Sequence, residues 1–519
     1  MNVKTLKVIF VIVSLFVSIV AKAGDIVIEN PPFTVCTVFN LEIDKVKITE
    51  KETLITFSYY FPKEHTEFSL DRKSFLAVGE KQLPIQSSTI KLNQKYTKGK
   101  GKENVLTFSL KFDPIDPSTE KIDFLESLED VGTRFWGIEL KSKTITTREE
   151  VPQLIREQAE NKADTTSLRA EPFNKNVAIL RGKLYGFTPD MQFKAMFLRS
   201  DVLQQETGFN DIRLTTIQEN GEWRIGVPLT TTQAVHITIL GQNYTVVLSP
   251  GETSQLHFDL QQRCANDSRN RTDMEKEKDY MFFLGANADI NNQINTYKMI
   301  PYVDPGSMTN RDHSDMKQKQ FANMTANEYR DYIFTRLEED VKYVEENTVN
   351  KRGQDFIKLH LRQLAMIQLS TPIPNIEGSF TQFINKSLTG YVAPRINLRY
   401  YSFYNILDVN NPVNMFGLRC SEMISSINRM AAMGGHPVEM FVMNPDEREK
   451  DVLTKMSALL GTGNGFVFDM LVAQEMLSRV GHGADLDASR LQMLDNMADP
   501  FYKTYIERFA QDIKEYGSK

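Results

Sequence analysis

The chain has 519 residues, 41% hydrophobic and 25% charged, a composition that excludes a disordered, collagen-like or multi-span membrane protein. With 61 basic residues against 67 acidic ones and a net charge of −6, it carries no global basic field, and nucleic acid is not an expected partner. Its three cysteines, Cys36, Cys264 and Cys420, lie far apart in sequence, which excludes a Cys-rich zinc module, a CxxC redox site and a disulfide framework.

Residues 1–23 read as a secretory signal peptide. Lys4 and Lys7 precede an apolar run from Val8 to Val20, and Ala21-Lys22-Ala23 forms an A-x-A site with cleavage expected after Ala23. The run is shorter than the roughly 20 residues a membrane span needs. No later segment is long and apolar enough, so no integral membrane segment is expected after cleavage. The expected location is periplasmic or secreted.

Residues 24–145 alternate apolar and polar side chains and read as a β-sandwich. Strands are predicted at Phe39–Ile48, Thr53–Phe61, Ser74–Val78, Thr89–Leu92, Val105–Phe112 and Arg134–Leu140, with turns at Lys98–Lys102 and Asp113–Pro117. The lysine-rich turn reads as a solvated hairpin tip. Residues 146–175 are polar and read as a linker holding a short helix near 150–161. Residues 176–262 form a small all-β domain. Its marks are a strand at Val177–Leu184, an Asn220-Gly221 hairpin turn, a second hairpin across Gly241-Gln242-Asn243, a turn at Pro250-Gly251 and a last strand at Ser254–Leu260.

Past residue 263 the period becomes 3.6, and residues 263–519 read as an all-α domain. Thr325-Ala326-Asn327-Glu328 is a capping box ahead of a helix with Tyr329, Ile333, Leu337, Val341 and Val344 on one face. A second helix carries Phe356, Leu359, Leu364 and Ile367. Asn444-Pro445 opens a third, Phe466–Val480 is a fourth, and Asp499-Pro500 opens the last, with a stripe of Phe501, Tyr505, Phe509, Ile513 and Tyr516. Eighteen of the 21 methionines fall in this part and read as core filling. The expected fold class is α+β multidomain: N-terminal β-sandwich, small all-β domain, C-terminal all-α region.

No catalytic, cofactor-binding or metal-binding residue is assigned from the sequence, and no cofactor is expected. Gly461-Thr462-Gly463-Asn464-Gly465 follows a helix and lacks Gly-Lys-Ser/Thr, so it reads as the end of one helix and the start of the next rather than a phosphate loop. The seven histidines contain no HExxH; His236 and His257 fall in nearby strands but lack a third ligand. Arg311-Asp312-His313-Ser314-Asp315 reads as a polar connector, since adjacency in sequence is not triad geometry. The aromatic and basic residues of Arg395–Tyr404 read as an amphipathic helix edge.

Several stretches resemble a family, the exported bacterial thioredoxin-like disulfide reductases of the TlpA/ResA type with long N-terminal extensions. They are Phe39–Tyr60, Phe135-Trp136-Gly137-Ile138, Ile179–Leu184, Asn220-Gly221, Leu248–Glu252 and Phe283–Ala288. The resemblance implies the extension without its C-terminal thioredoxin domain. That domain carries a Trp-Cys-x-x-Cys site; no cysteine follows Cys420 here, so no catalytic residue is carried over. The implied function is an exported non-catalytic accessory or binding protein with a protein partner in the cell envelope. One alternative is the front portion of a periplasmic thiol-disulfide oxidoreductase whose thioredoxin domain is separate or lost. Another is a hydrolase acting through carboxylates in the helical region.

Overall fold

The computed structural model describes residues 25–517, apart from 39, 62–66, 98–103, 127–131, 146–148, 161–162, 192–194, 199–212, 269–277, 296–320, 393–395 and 429–444. The expected signal peptide, the turn expected at Lys98–Lys102, the connector expected at Arg311–Asp315, Arg395 and the cap expected at Asn444 therefore lie outside the described residues. The fold class is α+β, with sheets in the N-terminal part and helices in the C-terminal part. Contacts divide the chain into two compact units. One takes Met1–Glu150, Pro189–Phe193 and Leu260–Lys278; the other takes Val151–Thr188, Lys194–Asp259 and Asp279–Lys519.

The first unit begins with strands β1 (Ile26–Glu29), β2 (Val35–Cys36), β3 (Leu41–Ile48), β4 (Thr53–Tyr60), β5 (Glu67–Phe68) and β6 (Phe75–Val78). It continues with β7 (Lys81–Pro84), β8 (Ser87–Ser88), β9 (Tyr96–Thr97), β10 (Val105–Phe112), β11 (Lys121–Leu125) and β12 (Arg134–Glu139). Two five-stranded sheets form, in the orders β1-β3-β4-β10-β8 and β2-β12-β11-β6-β7. Inward-facing phenylalanines join them: Phe57 of one sheet lies 5.1 Å from Phe124 and 6.2 Å from Phe135 of the other, ring centre to ring centre. This is a sandwich core built by period-two alternation. The strand expected at Thr89–Leu92 is absent: Ser87–Ser88 pairs with β10, and the Thr89 N–H still donates to the Ser109 carbonyl at 3.0 Å, but the segment then leaves the sheet. The Lys91 N–H donates to Tyr96 Oη instead of to a neighbouring strand.

In the second unit, helix α1 (Gln153–Ala159) precedes β13 (Asn176–Tyr185), β14 (Ala195–Leu198), β15 (Arg213–Thr216), β16 (Glu222–Leu229), β17 (Gln233–Ile239), β18 (Gln242–Leu248) and β19 (Thr253–Asp259). Helix α2 (Leu260–Asp267) belongs to the first unit. Then β20 (Met281–Gly285) pairs along β19, so this β-region takes a strand beyond residue 262. The sheets run β16-β13-β19-β20 and β15-β14-β17-β18. Asn220-Gly221 does turn the chain: Gly221, at φ +81°, donates its N–H to the Gln218 carbonyl at 2.9 Å. The turn does not close a simple hairpin, however. β15 takes its ladder from β14 and β16 from β13, so the turn passes the chain from one sheet to the other.

Helix α3 (Ala288–Ile294) closes both sheets at their edges. The Asn291 side chain bonds the Val247 N–H and carbonyl, at 2.7 and 3.0 Å, on edge strand β18. Asn292 does the same to Phe283 on edge strand β20, at 2.7 and 2.8 Å. Side-chain amides thus satisfy edge backbone groups that would otherwise be buried without partners.

The remaining helices are α4 (Ala326–Asn347), α5 (Lys351–Ser370), α6 (Pro372–Phe383), α7 (Phe403–Ile406), α8 (Cys420–Asn428), α9 (Pro445–Leu460), α10 (Phe466–Gly481), α11 (Ala488–Asp495) and α12 (Pro500–Gly517). On α4, Tyr329, Ile333, Leu337 and Val344 are buried, and Val341 is half-buried. On α12 the buried stripe includes Tyr502 and Ile506 beside Tyr505. Phe501 is half-buried and stacks on Phe173 at 4.2 Å. The capping box forms in both directions: Thr325 Oγ1 accepts the Glu328 N–H, and the Glu328 carboxylate accepts the Thr325 N–H at 2.8 Å. Thr325→Ala is expected to lower stability by about 1 kcal/mol, and Thr325→Ser to restore most of it, in urea denaturation followed by helical circular dichroism.

Candidate functional site

Three helices of the second unit each turn one face toward a cavity of about 600 Å³. From α9 come Lys450, Leu453, Thr454 and Ser457, spaced i, i+3, i+4, i+7 along one face. From α10 come Phe468, Asp469 and Val472, all buried. From α11 come Arg490 and Met493, one turn apart, with Asp487 before the helix and Asn496 and Met497 after it. The Gly461–Gly465 loop supplies the last wall through Gly463 and Asn464.

The loop and the two carboxylates are held for local reasons. Gly461 and Gly465 take φ of +67° and +112°, so the loop leaves α9 and enters α10 as the glycine pattern suggested. Asn410 fixes the loop, donating to the Asn464 carbonyl at 3.2 Å and accepting the Val467 N–H at 3.0 Å. Asp487 caps α11 by accepting the Arg490 N–H at 3.0 Å. Its other oxygen lies 3.2 Å from the Arg490 guanidinium. Asp469 accepts the Ala498 N–H and the Asp499 N–H, one on each oxygen, both at 3.0 Å. Those bonds tether α10 to the start of α12. Burial holds the Asp469 carboxyl above its ordinary value, against the pull of the two backbone bonds.

The site therefore has two zones. Leu453, Phe468, Val472, Met493 and Met497 make an apolar wall. Beside it stand two cations. Arg490 is held by Asp487, whereas exposed Lys450 has no acid partner among the described residues.

Of the residues weighed in the sequence, the described ones fall elsewhere, apart from the glycine loop. His236 lies on β17 and His257 on β19, in different sheets, and His257 Nδ1 meets Tyr185 Oη at 3.1 Å. Burial and Lys183 push the His257 imidazole below its ordinary value. Tyr400, Tyr401, Phe403 and Tyr404 are buried in the helical core rather than along a helix edge, while Arg399 is exposed. The three cysteines are buried thiols. Among the described residues, no group of three or more His, Cys, Asp or Glu side chains is placed to hold a metal ion. No helix among them is long and apolar enough to cross a membrane. Lys450, Asp469 and Arg490 carried no sequence signal, because each is an ordinary residue on an ordinary amphipathic helix. Asp487 carried only that of a helix cap.

No family model and no curated protein matches this chain. Among solved structures, a type I pullulanase from Bacillus subtilis str. 168, complexed with maltose, is similar over 40% of this chain and 24% of that one. The identity is 11% and the TM-score 0.14, a likeness too slight to carry any argument about fold or activity.

Proposed function

We propose that the chain is an exported, non-catalytic binding protein of the cell envelope, related to thioredoxin-like envelope proteins, whose helical region takes a small amphipathic anion. The cavity is what supports this reading. About 600 Å³ suits a ligand of drug-like size, with an apolar wall for its body and a polar, charged wall of comparable extent to orient its head. Lys450, which has no acid partner among the described residues, supplies a cation beside the apolar wall formed by Leu453, Phe468 and Met493. A carboxylate head on an alkyl or aromatic body matches both zones.

Decanoate is expected to bind more tightly than decanol in isothermal titration calorimetry, and Lys450→Glu to weaken decanoate about tenfold while leaving decanol unchanged. Equal affinity for the two probes, indifferent to Lys450, would overturn the ligand class. A purified chain that reduces insulin disulfides would overturn the non-catalytic reading.

A second reading, hydrolysis through carboxylates, draws on Asp469 and Asp487 lining the same cavity. Binding is favoured because both carboxylates are already engaged. Asp469 holds two backbone N–H groups, and Asp487 holds its helix cap and Arg490.

A further inference from the structure

Cys36 and Cys264 are separated by 228 residues in sequence, yet they meet within the first unit. Cys36 is the last residue of β2, and Cys264 sits in the middle of α2, the helix of the segment that returns to this unit. The Cys36 backbone N–H donates to Cys264 Sγ at 3.3 Å, and the Cys264 thiol donates to the Cys36 carbonyl at 3.6 Å. One sulfur in contact with both ends of the other cysteine's backbone brings the two Cα atoms within the roughly 7 Å that a disulfide spans. Both side chains are 3% exposed. Glu42 also touches the returning segment, accepting from Ser268 Oγ at 3.0 Å. Cys420 belongs to the other unit, so it is the cysteine left over from the odd count.

The geometry points to a Cys36–Cys264 disulfide in the exported protein, stapling the segment Leu260–Lys278 to the sandwich and leaving Cys420 as the single thiol. The oxidant is a disulfide, either of a protein or of a small thiol. A thiolate from one cysteine attacks it, one oxidant sulfur leaves as a thiolate, and a mixed disulfide remains. The second cysteine's thiolate then attacks the protein sulfur, forming the Sγ–Sγ bond and expelling the other oxidant sulfur. The two cysteine protons end on the two expelled sulfurs, so one disulfide is consumed as one is made. In the folded thiol form, the mutual hydrogen bond and burial hold Cys36 well above its ordinary pKa, which starves the reaction of thiolate. The exchange therefore belongs to the folding chain, before α2 closes over β2. The finished bond is sealed from reductants.

The test is thiol counting on the chain exported through its own leader, unfolded and alkylated without reduction. One alkylated cysteine, Cys420, and a peptide pair joining Cys36 to Cys264 in mass spectrometry are expected; prior reduction should give three alkylated cysteines. Three alkylated cysteines without reduction, or a linkage using Cys420, would overturn the assignment. The oxidised protein should also melt about 5–10 °C above its reduced form, because the bond closes a long loop. The Cys36→Ala/Cys264→Ala protein should melt at one temperature with or without reductant. A wild type that is reduced in denaturant and refolded, yet melts where the oxidised protein does, would count against the bond. The cavity in the other unit is not involved, so decanoate binding and this bond can fail separately.

Discussion

Lowering the pH from about 7 to about 4 is expected to remove about 3 kcal/mol of stability from the helical region, and His360 is the expected cause. His360 lies on α5, fully buried, and neither ring nitrogen has a hydrogen-bond partner among the described residues. Burial is the chief cause that takes its pKa from 6.5 down to about 3, and the charges of Arg419 and His236 push the same way. In the unfolded chain the imidazole titrates at its ordinary 6.5, so between about pH 6.5 and pH 3 the unfolded state binds the extra proton. Stability from this group is complete above the higher value. It falls as the pH drops, by about 5 kcal/mol once the lower value is passed. Asp469 pulls the other way, because a carboxyl held above its ordinary value binds its proton more readily in the folded chain.

The measurement is urea denaturation at several pH values, read by helical circular dichroism. Every described α-helix except α2 belongs to the second unit, so this signal reports it. His360→Leu is expected to flatten the pH dependence over that window, because no buried imidazole then awaits a proton. The contribution of Asp469 is common to both proteins and cancels in the comparison. A variant with the wild-type pH profile would assign the acid sensitivity to other groups.

Gly182→Ala is expected to be the most damaging single methyl addition in the second unit, at about 3–5 kcal/mol. Gly182 sits in β13 between two partners, opposite Trp223 of β16 and Leu256 of parallel strand β19. A Cβ there would lie 1.7 Å from the Leu256 carbonyl oxygen and 2.7 Å from its carbon. Those are backbone atoms of a hydrogen-bonded strand, so no rotamer change relieves the overlap; β13 and β19 must separate. A strand glycine of this kind marks a close backbone approach. Gly226 in β16 is the control. A Cβ there meets side chains and no backbone, Val177 at 3.1 Å and Ile179 at 3.7 Å, and Gly226→Ala should cost under about 1 kcal/mol. Equal denaturation midpoints for the two variants would refute the close-approach account.

Much of the fold was legible in the sequence. β10 runs from Val105 to Phe112 as the alternation predicted, and the Thr325 box opens α4 in both of its hydrogen bonds. Both are local signals, carried by side-chain period or by a reciprocal pair within four residues. The departures occur where a distant strand decides. The Asn220-Gly221 turn was readable, but the ladders that pull β15 and β16 into different sheets come from β14 and β13. The asparagines of α3 gave no signal, because an amide that satisfies a strand edge looks like any polar residue until the edge is present.

The sequence by itself determined the α+β class, the Thr325 capping box and the glycine loop at 461–465, because dihedral preference, periodicity and capping act within a few residues. Only the tertiary structure decided that this loop also walls a cavity, since that cavity needs faces of three separate helices, from Lys450 to Met497. The same holds for Cys36 and Cys264, which composition could count but not join. Their approach across 228 residues depends on α2 folding back beside β2, a long-range contact that no local pattern encodes.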